Sequence, residues 1–241
     1  MSAMGTLLLE GGAEFGGRMS EPDLRAFHIA GGLTSPVAIL PTAAAPDHNN
    51  ERAGRNALRW FTSLGASRLD VVPIVDKSSA DDPALAARIR SARLIYMLGG
   101  FPGYLASTLA ESRAWQAALD AYAKGAVIGG SSAGAMVLCQ YLYDPGLSQA
   151  GNGLNLLPNA CVLPHHNSFG KAWAPRLAQA LPGRILIGID EQTGILNDPG
   201  GTWTVYGAGQ VTLYQGGVPR SHSRGETFRL PAEHNTVRDR R

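Results

Sequence analysis

The chain holds 241 residues, of which 44% are hydrophobic and 17% charged, and its 21 basic and 19 acidic side chains leave a net charge of +2. That composition excludes wholesale disorder, which requires low hydrophobicity with high net charge. It also removes the electrostatic case for a nucleic-acid or membrane-surface partner.

Short apolar runs alternate with helical patterns through the first two thirds of the chain. The runs are Thr6–Glu10 (TLLLE), residues 36–40 (PVAIL), 69–75 (LDVVPIV), 94–98 (LIYML) and 126–128 (AVI). All but 69–75 run directly into Gly or Pro. Apolar strands without alternation are what a parallel sheet buried on both faces requires. Helical spacing falls at 50–64, 82–90 and 107–123, and an apolar helix is expected over 133–141. Residues 144–159, rich in Gly, Pro and Asn, read as a long loop. Two further buried strands are expected at 160–163 and 184–190, with a short helix over 173–181 between them. Residues 194–213 alternate like antiparallel strands, with turn signals at 198–201 and 207–209. The expected fold is α/β: a doubly wound, mainly parallel sheet flanked by helices, with short antiparallel strands near the C-terminus. One domain over 1–230 and a polar tail over 231–241 is the simplest organisation.

Two cysteines, Cys139 in a helical run and Cys161 in a strand-like run, are too few for a disulfide framework or a four-cysteine zinc site. Both read as buried structural thiols. No apolar run reaches the roughly 18 residues of a membrane span. Residues 1–17 lack a basic n-region with a long apolar core. A cytoplasmic enzyme or binding protein is therefore expected.

The sharpest chemical signal is Gly130-Ser131-Ser132-Ala133-Gly134. It matches G-x-S-x-G, with a buried strand before it and an apolar helix after it. A serine on so tight a turn adopts strained backbone angles, so its neighbours must be small. Ser132 is the candidate nucleophile, and Ser131 is the neighbouring hydroxyl. The Gly99-Gly100 pair ends the preceding strand of the expected order. Gly100 N–H and Ala133 N–H could together bind an oxyanion. A base is needed, and His165-His166 follow a strand at the same sheet edge. An acid should orient the base, and Asp190-Glu191 end another strand there. On the residues alone, His165 and His166 both stay open as base, and Asp190 and Glu191 as acid. The α/β-hydrolase order, serine then acid then histidine, would instead pair Asp190 with His222.

The loop Gly11-Gly12-Ala13-Glu14-Phe15-Gly16-Gly17 does not satisfy G-x-G-x-x-G, and no Walker A motif is present. No cofactor is expected. No His or carboxylate spacing suits a metal, and none is expected.

Taken together, these motifs resemble the peptidase E and cyanophycinase group, serine peptidases on the class I glutamine-amidotransferase-like, flavodoxin-like fold. The resemblance spans about residues 5 to 215. It is carried by Gly11-Gly12, residues 39–43 (ILPTA), Leu98-Gly99-Gly100, residues 129–135 (GGSSAGA), Pro164-His165 and residues 188–193 (GIDEQT). It implies Ser132 as nucleophile and His165 as base, with His166 in a position that is usually aromatic. It implies Glu191 as the acid, by the cyanophycinase-like pattern. Peptidase E proper takes its acid from between serine and histidine, where this chain has Asp144. Gly99, Phe101, Ser131, His166 and Asp190 are the candidate substrate contacts. Cyanophycinases carry Asp-Gln where this chain has Phe101-Pro102.

The expected activity is serine-dependent hydrolysis of a peptide or isopeptide bond in a small substrate. Two other classes remain: an esterase or acyltransferase with the same triad, and a non-catalytic binding protein on this fold. A homodimer paired through an edge strand stays open.

Overall fold

A computed structural model describes residues 5–198 and 200–230, and the expected polar tail at 231–241 lies outside them. The chain opens with β1 (Thr6–Glu10), a 3-10 turn at Gly17–Met19 and α1 (Ser20–Ile29), followed by β2 (Val37–Leu40), α2 (Asn50–Ser63) and β3 (Leu69–Val71). Then come α3 (Lys77–Ala80), α4 (Pro83–Arg90), β4 (Leu94–Met97), α5 (Pro102–Leu109), α6 (Arg113–Ala123), β5 (Val127–Ser131) and α7 (Ala133–Leu138). The last third holds β6 (Cys139–Asp144), β7 (Gln149–Asn152), β8 (Leu157–Leu163), α8 (Ala174–Ala180), β9 (Ile185–Ile189), β10 (Thr193–Asn197), β11 (Thr202–Gly207), β12 (Gln210–Tyr214), β13 (Arg220–Ser223) and β14 (Thr227–Arg229).

The first sheet has the order β14-β11-β10-β1-β5-β4-β2-β3. Its parallel half, β1 to β5 with β4, β2 and β3, is the expected doubly wound layer. The two-residue period of each strand sends alternate side chains to opposite faces. Leu7, Leu9, Ala38, Leu40, Ile95 and Met97 join the main core with α4, α5, α6 and α7. Leu8, Ile39 and Tyr96 face the other way, onto Phe27 of α1 and Phe61 of α2. Mixed α/β architecture around a largely parallel, helix-flanked sheet is thus what the chain forms.

Four local expectations need correction. β8 and β9 do not extend the parallel sheet. They lie in a second, six-stranded sheet of order β13-β12-β9-β8-β6-β7. Apolar character marks a strand as buried but carries no record of which sheet buries it. The helix expected over 107–123 is two helices. Ala110 leaves the helical region (ψ 129), Glu111 has φ 58, and Ser112 Oγ accepts the Trp115 N–H to start α6 afresh. The helix after Ser132 stops at Leu138, because Cys139 turns to extended backbone and begins β6. Residues 144–159 are not all loop, since they hold β7 and the start of β8. Two helices, α1 and the short α3, are not among the expected elements. Both thiols are fully buried, and burial pushes Cys161 up to about 12, so they serve as apolar filling.

Where β1 ends, a group of acidic and aromatic side chains is buried between the sheet and α1–α2. Glu10 and Asp23 are 0% and 2% exposed. Tyr96 Oη donates to Glu10, and Trp60 Nε1 donates to Asp23 Oδ2 at 2.7 Å. Burial raises the Glu10 carboxyl well above its ordinary value and lifts Asp23 to about 7.

Two outcomes follow. A methyl group on Gly134 would collide with the Met97 carbonyl oxygen, whereas one on Gly16 would meet nothing. Gly134→Ala should therefore cost about 1–3 kcal/mol and Gly16→Ala less than about 0.5 kcal/mol, read as shifts of the urea midpoint. The raised Asp23 value means its folded-state contribution is fully present below 3.8 and is lost as pH rises through about 7. Asp23→Asn, which keeps an acceptor for Trp60, should flatten the fall in Tm across that window. Parallel Tm-against-pH curves for the two proteins would refute this.

Candidate active site

The site sits at the seam where the chain passes between the two sheets. It crosses from β5 to β6 through Ser132 and α7, and returns from β9 to β10 through Asp190-Glu191-Gln192. The end of β1 stitches these crossings together with its own backbone. Ser132 N–H donates to the Glu10 carbonyl (3.0 Å), His165 N–H to Gly11 (2.7 Å) and Gln192 N–H to Gly12 (3.0 Å). Gly12 has φ 107, and the His165 ring lies so close that any side chain there would strike it.

Ser132 has φ 52 and ψ −113, a region that costs a non-glycine residue of order 1–3 kcal/mol. Gly130 and Gly134 on either side leave no room for a Cβ. The strained turn thus forms where the sequence supplies small neighbours. His165 (φ 50) follows β8 and Gln192 (φ 53) follows β9, so the other two arms of the site also leave their strands through positive φ.

The side chains converge. Ser132 Oγ lies 3.0 Å from His165 Nε2, and His165 Nδ1 lies 2.8 Å from Glu191 Oε1. Phe169 stacks on the imidazole with ring centres 4.8 Å apart. Glu191 is steadied from both ends: Asn167 Oδ1 accepts its N–H (2.9 Å), and Ser168 Oγ donates to its carboxylate (3.4 Å). Gly100 has φ 140, and a Cβ there would enter the Ala43 carbonyl. Among the described residues no acceptor engages the Gly100 or Ala133 N–H.

The other candidates occupy different places. Ser131 is fully buried and its Oγ donates to Glu14 Oε2 at 2.9 Å. His166 is 5% exposed, with Nε2 2.8 Å from Tyr214 Oη and Nδ1 3.4 Å from Asp190 Oδ1. Desolvation lowers its pKa, with Asp190 opposing. Asp190 Oδ2 also accepts the Gln210 N–H (2.9 Å). These two residues thus tie β9 to β12 beneath the site. The pairing of Asp190 with His222 does not form, because His222 stacks on Phe228 (4.8 Å) in β13. Asp144 caps its own turn through the Gly146 N–H (2.9 Å). Phe101 is 43% exposed and, with Gly99 and Gly100, lines a cavity of about 450 Å³ beside α2.

Sequence reasoning missed Asn167, Ser168, Phe169 and Glu14. The first three lie within four residues of His165, but nothing in their spacing marks them. Glu14 lies in a glycine-rich loop whose sequence matches no catalytic motif.

Among the described residues no group of three or more His, Cys, Asp or Glu side chains could hold a metal, and no helix is long and apolar enough to cross a membrane.

The profile of peptidase family S51 matches residues 7–202. Cyanophycinase of Synechococcus elongatus is 29% identical over 195 residues, 76% of this chain and 60% of that protein. The chain therefore spans about three fifths of the length of that relative. Cyanophycinase of Geminocystis herdmanii is 30% identical over 225 residues, 88% of this chain and 80% of that one. The crystal structure of a peptidase from an acI-B1 Actinobacterium superposes with a TM-score of 0.86 at 30% identity, covering 95% of this chain and 98% of that chain. A putative peptidase E from Listeria monocytogenes shares the fold at a TM-score of 0.58 and 19% identity, covering 89% of this chain and all of that one. By the extent of the family match and by these relatives, the chain belongs to peptidase family S51.

Proposed function

We propose that the protein is a serine peptidase that cleaves a peptide or isopeptide bond in a small substrate, with Ser132 as nucleophile, His165 as base and Glu191 as the orienting acid. The observation that carries this reading is the unbroken run from Ser132 Oγ to His165 Nε2 to Glu191 Oε1, at 3.0 and 2.8 Å. It stands on a strained turn in a chain whose family is a peptidase family.

The chemistry follows from which group holds the proton. With Nδ1–H donating to Glu191, Nε2 is left as the acceptor facing Ser132 Oγ. Oγ attacks the substrate carbonyl while its proton passes to Nε2. The carbonyl π electrons move onto oxygen, and the Gly100 and Ala133 N–H groups stabilise that charge. When the C–N bond breaks, the imidazolium returns its proton to the leaving amine. Water then cleaves the acyl–Ser132 ester by the same route in reverse. Glu191 holds the tautomer and offsets the imidazolium charge. Phe169 restricts the ring from the other side. The exposed Phe101 at the cavity mouth would present an apolar face to the substrate.

The first test is intact-mass spectrometry after incubation with a fluorophosphonate. One adduct should form, map to Ser132, and vanish in Ser132→Ala and His165→Ala. An unlabelled Ser132 in the wild-type protein would favour a non-catalytic binding protein. Once a turnover assay is in hand, Glu191→Gln should lower kcat by about 10²–10⁴. Gly100→Ala displaces an oxyanion donor and should lower kcat by about 10²–10³ with a smaller change in KM.

A further inference from the structure

The proposed machinery does not use Glu14, yet this carboxylate stands beside the nucleophile. A Cβ built on Gly99 would meet Glu14 Oε1 at 3.3 Å and Ser132 Cβ at 3.4 Å, so the two side chains press on the same spot. Oε2 is held by Ser131 Oγ at 2.9 Å, while Oε1 takes no hydrogen bond from the described residues. No Lys or Arg among them pairs with it. The residue is only partly buried and lines two adjoining cavities of about 460 and 450 Å³.

The loop around Glu14 is held rigidly in an unfavourable conformation. Ala13 (φ 54) and Phe15 (φ 68) both adopt positive φ. The Phe15 ring is packed edge-on against Phe61 and tilted against Tyr96, at 6.0 and 6.3 Å. Strain at two successive flanks, locked by aromatic packing, fixes where the carboxylate points.

The side of the site is set by the cavity walls. Gly99, Gly100 and Phe101 line the cavity that holds Glu14, whereas His165 and Glu191 do not. The leaving amine must lie next to His165, which protonates it. The Glu14 side therefore receives the acyl part of the substrate. Asp47, Arg52 and Arg59 stand on the outer walls, and both guanidinium groups are already tied to Asn49 and Asn56.

Resting on the catalytic reading above, we propose that Glu14 is a specificity-determining residue, which binds a positively charged nitrogen on the acyl side of the substrate. That nitrogen is either the α-ammonium of an N-terminal residue or a basic side chain. An ion pair beside a partly buried nucleophile is poorly screened and discriminates strongly against a neutral competitor.

The test is protection of Ser132 from a neutral fluorophosphonate, followed by intact mass at neutral pH. Three competitors are compared: L-alaninamide (α-ammonium), Nα-acetyl-L-lysinamide (side-chain cation) and N-acetyl-L-alaninamide (neutral). At least one cation should protect at a concentration about 10-fold or more below the neutral compound. Which one does so identifies the source of the charge. In Glu14→Gln the ratio should fall to within about 2-fold. The ratio is internal to each protein, so a general loss of reactivity does not enter. Equal or absent protection by all three in the wild type, or an unchanged ratio in Glu14→Gln, would overturn this inference alone. Failure of the fluorophosphonate to label wild-type Ser132 would overturn the catalytic reading with it.

Discussion

The end of β1 is the constraint on which the site depends. Three consecutive carbonyls, of Glu10, Gly11 and Gly12, accept N–H groups from Ser132, His165 and Gln192. Ser132 and Gln192 lie on the two crossings between the sheets, and His165 on the turn after β8 in the second sheet. A side chain at Gly11 or Gly12 would strike Asp190 or His165, so the strand can lie this deep in the seam only as glycine. With these backbone bonds in place, the spacing of serine, histidine and glutamate is set by main chain, which moves far less than side chain.

The same seam concentrates conformational strain. Ser132, His165 and Gln192 all adopt positive φ without being glycine. Each such residue costs of order 1–3 kcal/mol and persists only where its surroundings over-determine it. Here that compulsion comes from the parallel core on one side and the second sheet on the other. The buried Glu10–Asp23 group beneath the seam adds a further cost, offset in part by hydrogen bonds from Tyr96 and Trp60. A fold that tolerates this much unfavourable geometry in one place has its stability elsewhere, in the apolar layers on both faces of β1, β2, β4 and β5.

Adjacent residues in this molecule divide their work by pleat and turn. His165 faces Ser132, while His166 packs against Gly188 and reaches Tyr214. Glu191 faces His165, while Asp190 binds His166 and the start of β12. Ser132 is set against the imidazole, while Ser131 turns to Glu14. Three dipeptides therefore each supply one member of the Ser132–His165–Glu191 array and one member of the network that supports it.

Much of this was legible in the residues themselves. The apolar runs located β1, β2, β4 and β5, because strands buried on both faces must be continuously apolar. The small residues around Ser132 marked a strained turn, because nothing larger fits there. The resemblance to a peptidase family singled out His165 over His166 and Glu191 over Asp190, choices that spacing had left open. What the sequence by itself did not determine was the partner of each strand. A run such as Ile185–Ile189 is equally apolar in either sheet, and only the folded chain assigned β8 and β9 to the second one. The short strand β7 and the early end of α7 were hidden for a related reason: β7 forms by pairing with β6, and α7 stops where β6 begins its own pairing with β7 and β8, contacts that local periodicity does not encode. Glu14 is the sharpest case. Its place beside Ser132 comes from a loop folding across three strand ends, and no pattern in Gly11 to Gly17 records where that loop will land.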